Sequence, residues 1–273
     1  MAELARLGYS SRLGRSIDRR SRFTAGTPEQ RAADFLELWE DPEVSAIFCA
    51  RGGYGALELL DKLDAERVRS RPKILLGSSD ATSLLCFVGR AGLVTFHGPM
   101  VAQQLARGQT AYDADNLVAL LSNAQPAGKL HAPGVRPLHA GRAEGIVLGG
   151  CLSLVVALVG TPHLPSFNGA IVFLEDTSVK PYQIDRMLWQ LRASGAFDGA
   201  QGLVFGEMPG CEQHPEQGYL LDDVLKDATA ELGIPVLSGF PSGHSVSPAM
   251  TLPLGVRARV DRDGLTLLEG AVV

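Results

Sequence analysis

Apolar residues along this chain fall into two alternating rhythms. Short, mostly apolar runs at Val44 to Ala50, Lys73 to Leu76, Leu93 to Phe96, Ala170 to Leu174 and Gly202 to Phe205 read as buried strands. Between them lie stretches with helical spacing. One starts at Thr27 and carries Phe35, Leu36 and Leu38; another runs through Leu63; a third follows Ser79. From about Tyr182 to Ser194, Ile184, Met187, Leu188 and Leu191 share one helical face. Thr27 is a good N-cap with Pro28 at the first helical position, Asp41-Pro42 stops that helix, and Gly195 is placed to end the later one. Gly145 to Gly150 leads into a small helix, and a further helix is predicted around Leu220 to Leu232. The tail, at Met250 to Val256, Ala258 to Val260 and Leu265 to Leu268, reads as antiparallel strands with a turn at Asp261-Arg-Asp-Gly264. Strand-loop-helix alternation of this kind points to a parallel sheet flanked by helices.

Ser122 to Gly145 is rich in Pro, Gly, Ala and His and has no sustained period. It divides the chain into an N-terminal parallel-sheet α/β domain (1–122), a linker (123–144) and a C-terminal α/β domain with a β-rich tail (145–273). A length of 273 residues accommodates two such halves.

Composition narrows the function classes. Hydrophobic residues at 45% and charged residues at 20% are ordinary for a soluble globular protein. The net charge of -5 argues against a nucleic-acid partner. The basic cluster from Arg12 to Arg22 reads as a solvated loop or helix end. No window holds 18 uncharged apolar residues, so no membrane span or membrane partner is expected. Glu3 and Arg6 interrupt what would be the core of a secretory signal, and the predicted location is cytoplasmic. The cysteines at 49, 86, 151 and 211 are far apart, as suits free thiols in a reducing compartment. Spacings for a metal site are missing, and neither a metal nor a cofactor is expected.

Candidate chemistry begins at the end of the second predicted strand. Gly77-Ser-Ser79-Asp80 joins a strand to a helix, where a serine is held beside the exposed amides of a new helical turn. The pattern resembles a nucleophile elbow in outline, with Ala81 in place of the second glycine. An N-cap followed by a first-turn acid is the competing account. Arg51-Gly-Gly-Tyr-Gly55, also between strand and helix, lets backbone amides approach a ligand or oxyanion, or is simply a tight turn. With Glu58 where a third glycine belongs, it does not fit a dinucleotide fingerprint. Glu175 and Asp176 leave a strand at its carboxyl end, where ligand sites of open α/β sheets lie, and either could orient a histidine. His244 sits in the turn-rich segment Gly239 to Ser245, and His97, in Thr-Phe-His97-Gly-Pro, could line the same cleft. Ser79, Glu175 and His244 follow the order serine, acid, histidine. An α/β-hydrolase esterase shares that order, and a non-catalytic sensor on the same scaffold also fits.

Taken together, Ala25-Gly-Thr with Arg31-Ala-Ala-Asp34, Ala50-Arg-Gly-Gly-Tyr-Gly55, Gly77-Ser-Ser79-Asp-Ala-Thr82, His97-Gly-Pro-Met100, Gly149-Gly150, Leu174-Glu-Asp176, Tyr182-Gln-Ile-Asp-Arg-Met187 and Gly239-Phe-Pro-Ser-Gly-His244 resemble the LD-carboxypeptidase family of serine peptidases, which includes microcin-immunity peptidases. The resemblance runs from about Ala25 to Gly255. It implies a nucleophile at Ser79, a general base at His244, an orienting acid at Glu175, and an oxyanion hole from the backbone amides of Gly53 and Asp80. It also implies a small peptide substrate ending in a D-amino acid, such as the D-Ala of a cell-wall tetrapeptide in peptidoglycan recycling, and a homodimer. Cleavage of an aminoacyl nucleotide of the microcin type is the alternative; it would call for an aromatic loop, whereas Trp39 and Trp189 both fit helical core positions. Arg51 and Arg186 are candidates for the substrate carboxylate. The chain departs from the family at Ser78, where relatives often carry Tyr. It departs again at Met1 to Leu7, which reads as the first helix with no strand before it. A truncated chain or a late start, leaving an unpaired sheet position, is the expectation.

Overall fold

Two sheets organise the chain in the computed structural model, which describes residues 1–273 apart from the side chain of Pro215. The first sheet sets β1 (Ala46–Phe48), β2 (Ile74–Gly77) and β3 (Thr95–His97) side by side in parallel. The second contains β4 (Gly128–Lys129), β5 (Arg136–His139), β6 (Ala143–Cys151), β7 (Ala170–Glu175), β8 (Gly202–Gly206) and β9 (Val236–Phe240). The chain then returns to the first sheet with β10 (Leu252–Leu254), antiparallel to β3, before β11 (Arg257–Asp261) and β12 (Gly264–Leu267) complete the second. The order of the second sheet is β4-β12-β11-β6-β7-β8-β9-β5, with β6 to β9 parallel at its centre. The protein is thus an α/β molecule with an N-terminal parallel-sheet domain and a C-terminal mixed-sheet domain. The helices are α1 (Ala2–Arg6), α2 (Pro28–Glu40), α3 (Ala65–Ser70), α4 (Thr82–Arg90), α5 (Ala114–Ser122), α6 (Leu152–Ala157), α7 (Pro181–Ala193) and α8 (Leu221–Thr229). No helix is long and apolar enough to cross a membrane.

Local chemistry accounts for these elements. Thr27 caps α2 reciprocally with Gln30, and Pro28 occupies its first position. Every residue of β7 is buried, because both faces of a central parallel strand are covered. On α7, Ile184, Leu188 and Leu191 turn inward to a core shared with Leu152, Val172 and Phe205. A second core runs without interruption from Leu75, Leu76 and Phe96 of the first sheet to Val147, Phe173 and Phe240 of the second.

Several expectations are corrected. The stretch 123–144 is not a bare linker, for it carries β4, β5 and the start of β6. Both β4 and β5 lie at sheet edges, where a strand as short as Gly128–Lys129 and one containing Pro137 are tolerated but show no alternation. The segment through Leu63 is a 3-10 helix over Leu57–Lys62. Trp39 is in the core, but Trp189 is 59% exposed on α7. β1 forms one edge of its sheet, and a cavity of roughly 600 Å³ beside it is lined by Leu4, Tyr9, Leu13 and Ile17 among others. The Arg12 to Arg22 segment is largely exposed, with Arg12 paired to Asp41 and Arg15 to Glu37.

Candidate active site

β2 ends at Gly77, Ser78 continues extended, and Ser79 then adopts φ +58 before the chain enters a 3-10 turn and α4. A left-handed conformation at a residue with a Cβ costs about 1–2 kcal/mol and marks a turn held in place by its surroundings. Two contacts hold it: the Ala81 amide donates to the Ser78 carbonyl at 3.1 Å, and the buried Asp80 carboxylate accepts from the Ala56 amide at 2.9 Å. Burial pushes the Asp80 carboxyl up, against the pull of the Ala56 and Gly55 amides and of Arg31. The turn separates the neighbouring hydroxyls. Ser79 is half-buried, whereas Ser78 Oγ is fully enclosed and without a hydrogen-bond partner.

The Arg51 to Gly55 loop packs directly on this turn. A Cβ at Gly52 would stand 2.7 Å from Ser79 Oγ and 3.6 Å from the Asp80 amide nitrogen, so only glycine permits the approach. Gly53 follows at φ +113, and Arg31 braces the loop by donating to the Gly55 carbonyl at 2.7 Å. Arg51 itself is exposed.

Glu175 ends β7, opposite Cys151 at the end of β6. The Cys151 amide donates to Thr82 Oγ1 at 3.0 Å, so the strand ends that place Glu175 are tied to the first turn of α4 beyond Ser79. Glu175 is wholly buried. Its Oε2 accepts from the backbone amide of His244 at 2.9 Å and lies 2.8 Å from His244 Nδ1. A carboxylate on Nδ1 fixes the tautomer that leaves Nε2 free to accept a proton. The other acid, Asp176, does different work: it accepts from the amides of Ser153, at the start of α6, and Thr177, both at 2.9 Å.

The loop carrying His244 is held from three sides. Gly243, at φ +78, leaves no room for a Cβ, which would stand 2.6 Å from the Glu175 carboxyl carbon and 2.5 Å from His97 Cε1. Buried Gln104 donates to the Gly243 carbonyl at 3.0 Å, and Glu207 accepts from the amides of Val246 and Ser247. Gln104 and Glu207 carry no recognisable sequence signal; only topology brings them here. Burial pushes the Glu175 carboxyl up, but His244 and His97 outweigh it and hold the group at about 2. Burial disfavours the His244 cation, yet Glu175 and then Asp176 raise its pKa above the ordinary 6.5. Among the described residues no hydrogen bond joins Ser79 Oγ to the His244 ring. Of the other candidates, Arg186 lies on α7 with its guanidinium 5.8 Å from the Tyr182 ring centre.

Residues 1–98 match the LD-carboxypeptidase N-terminal domain and residues 144–260 the LD-carboxypeptidase C-terminal domain. A putative carboxypeptidase of Streptomyces coelicolor is 42% identical over 260 residues, covering 92% of this chain and 80% of that protein. The murein tetrapeptide carboxypeptidase of Pseudomonas aeruginosa is 34% identical over 247 residues, covering 87% and 79%. A solved structure of the microcin self-immunity protein MccF with aspartyl sulfamoyl adenosine superposes at a TM-score of 0.86 with 26% identity, covering 95% of this chain and 86% of that one. The chain belongs to the LD-carboxypeptidase family of serine peptidases.

Proposed function

We propose that the protein hydrolyses the amide bond to a C-terminal D-amino acid whose preceding centre is L, as in a cell-wall tetrapeptide ending in D-Ala. The two bonds from His244 to Glu175 Oε2 support the serine acyl transfer in this reading, because they orient an imidazole on strand ends tied to the Ser79 turn, while the substrate class comes from the family resemblance. As peptide binds, His244 Nε2 comes within about 2.6–3.2 Å of Ser79 Oγ, a closure that hydrolases often complete only in the substrate complex. Ser79 Oγ gives its proton to Nε2 and attacks the carbonyl carbon, and the amides of Gly53 and Asp80 hold the oxyanion. Collapse breaks the C–N bond while His244 protonates the departing amine, which leaves as the free D-amino acid. Water then adds to the acyl-Ser79 ester, giving its proton to His244, and the shortened peptide departs as Ser79 recovers its own.

The relative of P. aeruginosa, named for murein tetrapeptide, supports this substrate class. One observation favours cleavage of an aminoacyl nucleotide instead: the chain is similar in fold to MccF, whose structure was solved with aspartyl sulfamoyl adenosine. Parallel assays of a D-Ala-terminated muropeptide and an aminoacyl sulfamoyl adenylate decide between them. Release of D-Ala with little action on the adenylate is expected; preference for the adenylate would reverse the assignment.

A further inference from the structure

A buried carboxylate needs donors on both oxygens, and Glu175 has clear ones on only one. Oε2 is served twice by His244. Oε1 has no hydrogen-bond partner, and His97 Nε2, equally without one, faces it across 3.5 Å. Both side chains are fully enclosed. The His97 ring is fixed from other directions: its Nδ1 lies 3.1 Å from Ser242 Oγ, its ring meets Phe173 edge-on at 5.2 Å, and its backbone pairs with Leu252 of β10.

Hydrogen placement follows from this setting. Ser242 Oγ lies 3.3 Å from the His97 carbonyl, so its hydroxyl can donate either there or to Nδ1. If Nδ1 accepts, the neutral ring carries its hydrogen on Nε2. If Nδ1 donates, a hydrogen on Nε2 makes the ring a cation. The one remaining arrangement, neutral with Nδ1 protonated, would set a lone pair against a buried carboxylate and is disfavoured.

We propose that His97 is a positioning residue for the hydrolysis, its Nε2–H directed at Glu175 Oε1 so that two imidazoles share one carboxylate. The inference rests on the assignment of Ser79, Glu175 and His244 made above. A carboxylate shared in this way stabilises the His244 cation less than one given to His244 alone, so His97 restrains the basicity that Glu175 confers. The other titratable groups around the pair are already committed. Asp176 accepts from two amides, Glu207 holds the loop after His244, Asp80 serves the nucleophile turn, and burial keeps Cys151 and Cys211 as thiols.

The test compares two amides that divide the functions of the ring. In His97→Gln the amide nitrogen can reach the Nε2 position and donate to Glu175; in His97→Asn it sits near the Nδ1 position and serves only Ser242. On a D-Ala-terminated tetrapeptide, His97→Asn is expected to lose about tenfold or more in kcat/KM, the worth of a hydrogen bond to a charged group. Its acid limb is expected to move to higher pH by about 0.5 as the full carboxylate charge falls on His244. His97→Gln should stay within about threefold of the parent with an unmoved acid limb. Equal pH profiles in the two variants, at matched melting temperatures, would overturn the proposal. The unmutated protein offers a second measurement that needs no variant to fold: ¹⁵N NMR of the histidine rings should find His97 Nε2 protonated, and an unprotonated Nε2 would overturn it. Failure of the parent assignment shows separately, as turnover surviving in Ser79→Ala.

Discussion

Gly52 lies so close to Ser79 that a Cβ on it would stand 2.7 Å from the serine hydroxyl. Gly52→Ala should therefore push the loop off the nucleophile turn. Overpacking of this kind costs about 1–3 kcal/mol, and a displacement near 1 Å at the reacting centre costs about a hundredfold in rate. Gly89, late in α4 with open space at its Cβ position, is the control. Gly89→Ala should raise stability by about 0.5–1 kcal/mol and leave kcat/KM unchanged. Denaturant melts and steady-state kinetics on the pair check both outcomes; full activity in Gly52→Ala would show that the loop does not need its present position.

The adjacent serines should separate cleanly. Ser79 occupies the left-handed turn with a half-buried side chain, while Ser78 Oγ is enclosed and unpartnered. Ser79→Ala is expected to lower kcat by about 10⁶-fold, the cost of removing a serine nucleophile in a comparable triad. Ser78→Ala removes a buried, unsatisfied hydroxyl, so it should keep most activity and hold or slightly gain stability. Equal losses in both variants would count against Ser79 as nucleophile.

Stability and activity should respond to pH in opposite directions. Glu175 is held at about 2, below its ordinary 4.5, so its contribution to stability is complete above 4.5 and fades as pH falls toward 2. His244 is raised above 6.5, so its contribution is complete below 6.5 and is lost as pH rises through the folded-state value. Their joint contribution is greatest between about 4.5 and 6.5. Proton transfer from Ser79 needs neutral His244, which places the acid limb of kcat/KM above 6.5. Melting temperature and kcat/KM measured across the same buffers should diverge above 6.5, where the His244 contribution to stability fades while activity rises. In Glu175→Gln the divergence should largely vanish, with kcat lower by about 10⁴-fold if the tautomer is lost. An unchanged acid limb in that variant would show that Glu175 does not set His244.

Much of the fold was legible in the sequence because the central strands are buried on both faces and read as unbroken apolar runs, as at Ala170 to Leu174. The positions of the candidate residues Ser79, Glu175 and His244 were legible for a related reason: Glu175 ends a strand, Ser79 follows one and His244 lies in a glycine-rich turn, where α/β sheets place polar groups. What stayed hidden depends on pairing between distant segments. Leu252–Leu254 carries no mark that it joins β3 rather than its own hairpin, and Arg136–His139, interrupted by proline, resembles a loop. Gln104 and Ser242 are unremarkable locally, and acquire roles only when β3, the turn after it and the His244 loop converge.

That pairing also governs whether either half can work alone. β3 carries His97, and β10, which comes from the other end of the chain, pairs with it through Leu252 opposite His97. The apolar core continues from Leu76 and Phe96 into Val147 and Phe240, so cutting the chain between the halves exposes buried surface on both sides. Relative motion of the halves is restrained for the same reason, since a large apolar interface favours one fixed arrangement. Residues 1–122 expressed alone lack β10, Glu175 and His244, while residues 140–273 lack Ser79, β4 and β5. Neither is expected to show turnover, and each should unfold without the sharp cooperative transition of the whole chain. Activity assays and thermal melts on the two fragments check this. D-Ala release by residues 140–273 without the first half would show that Ser79 is not the nucleophile and that the site belongs to one domain.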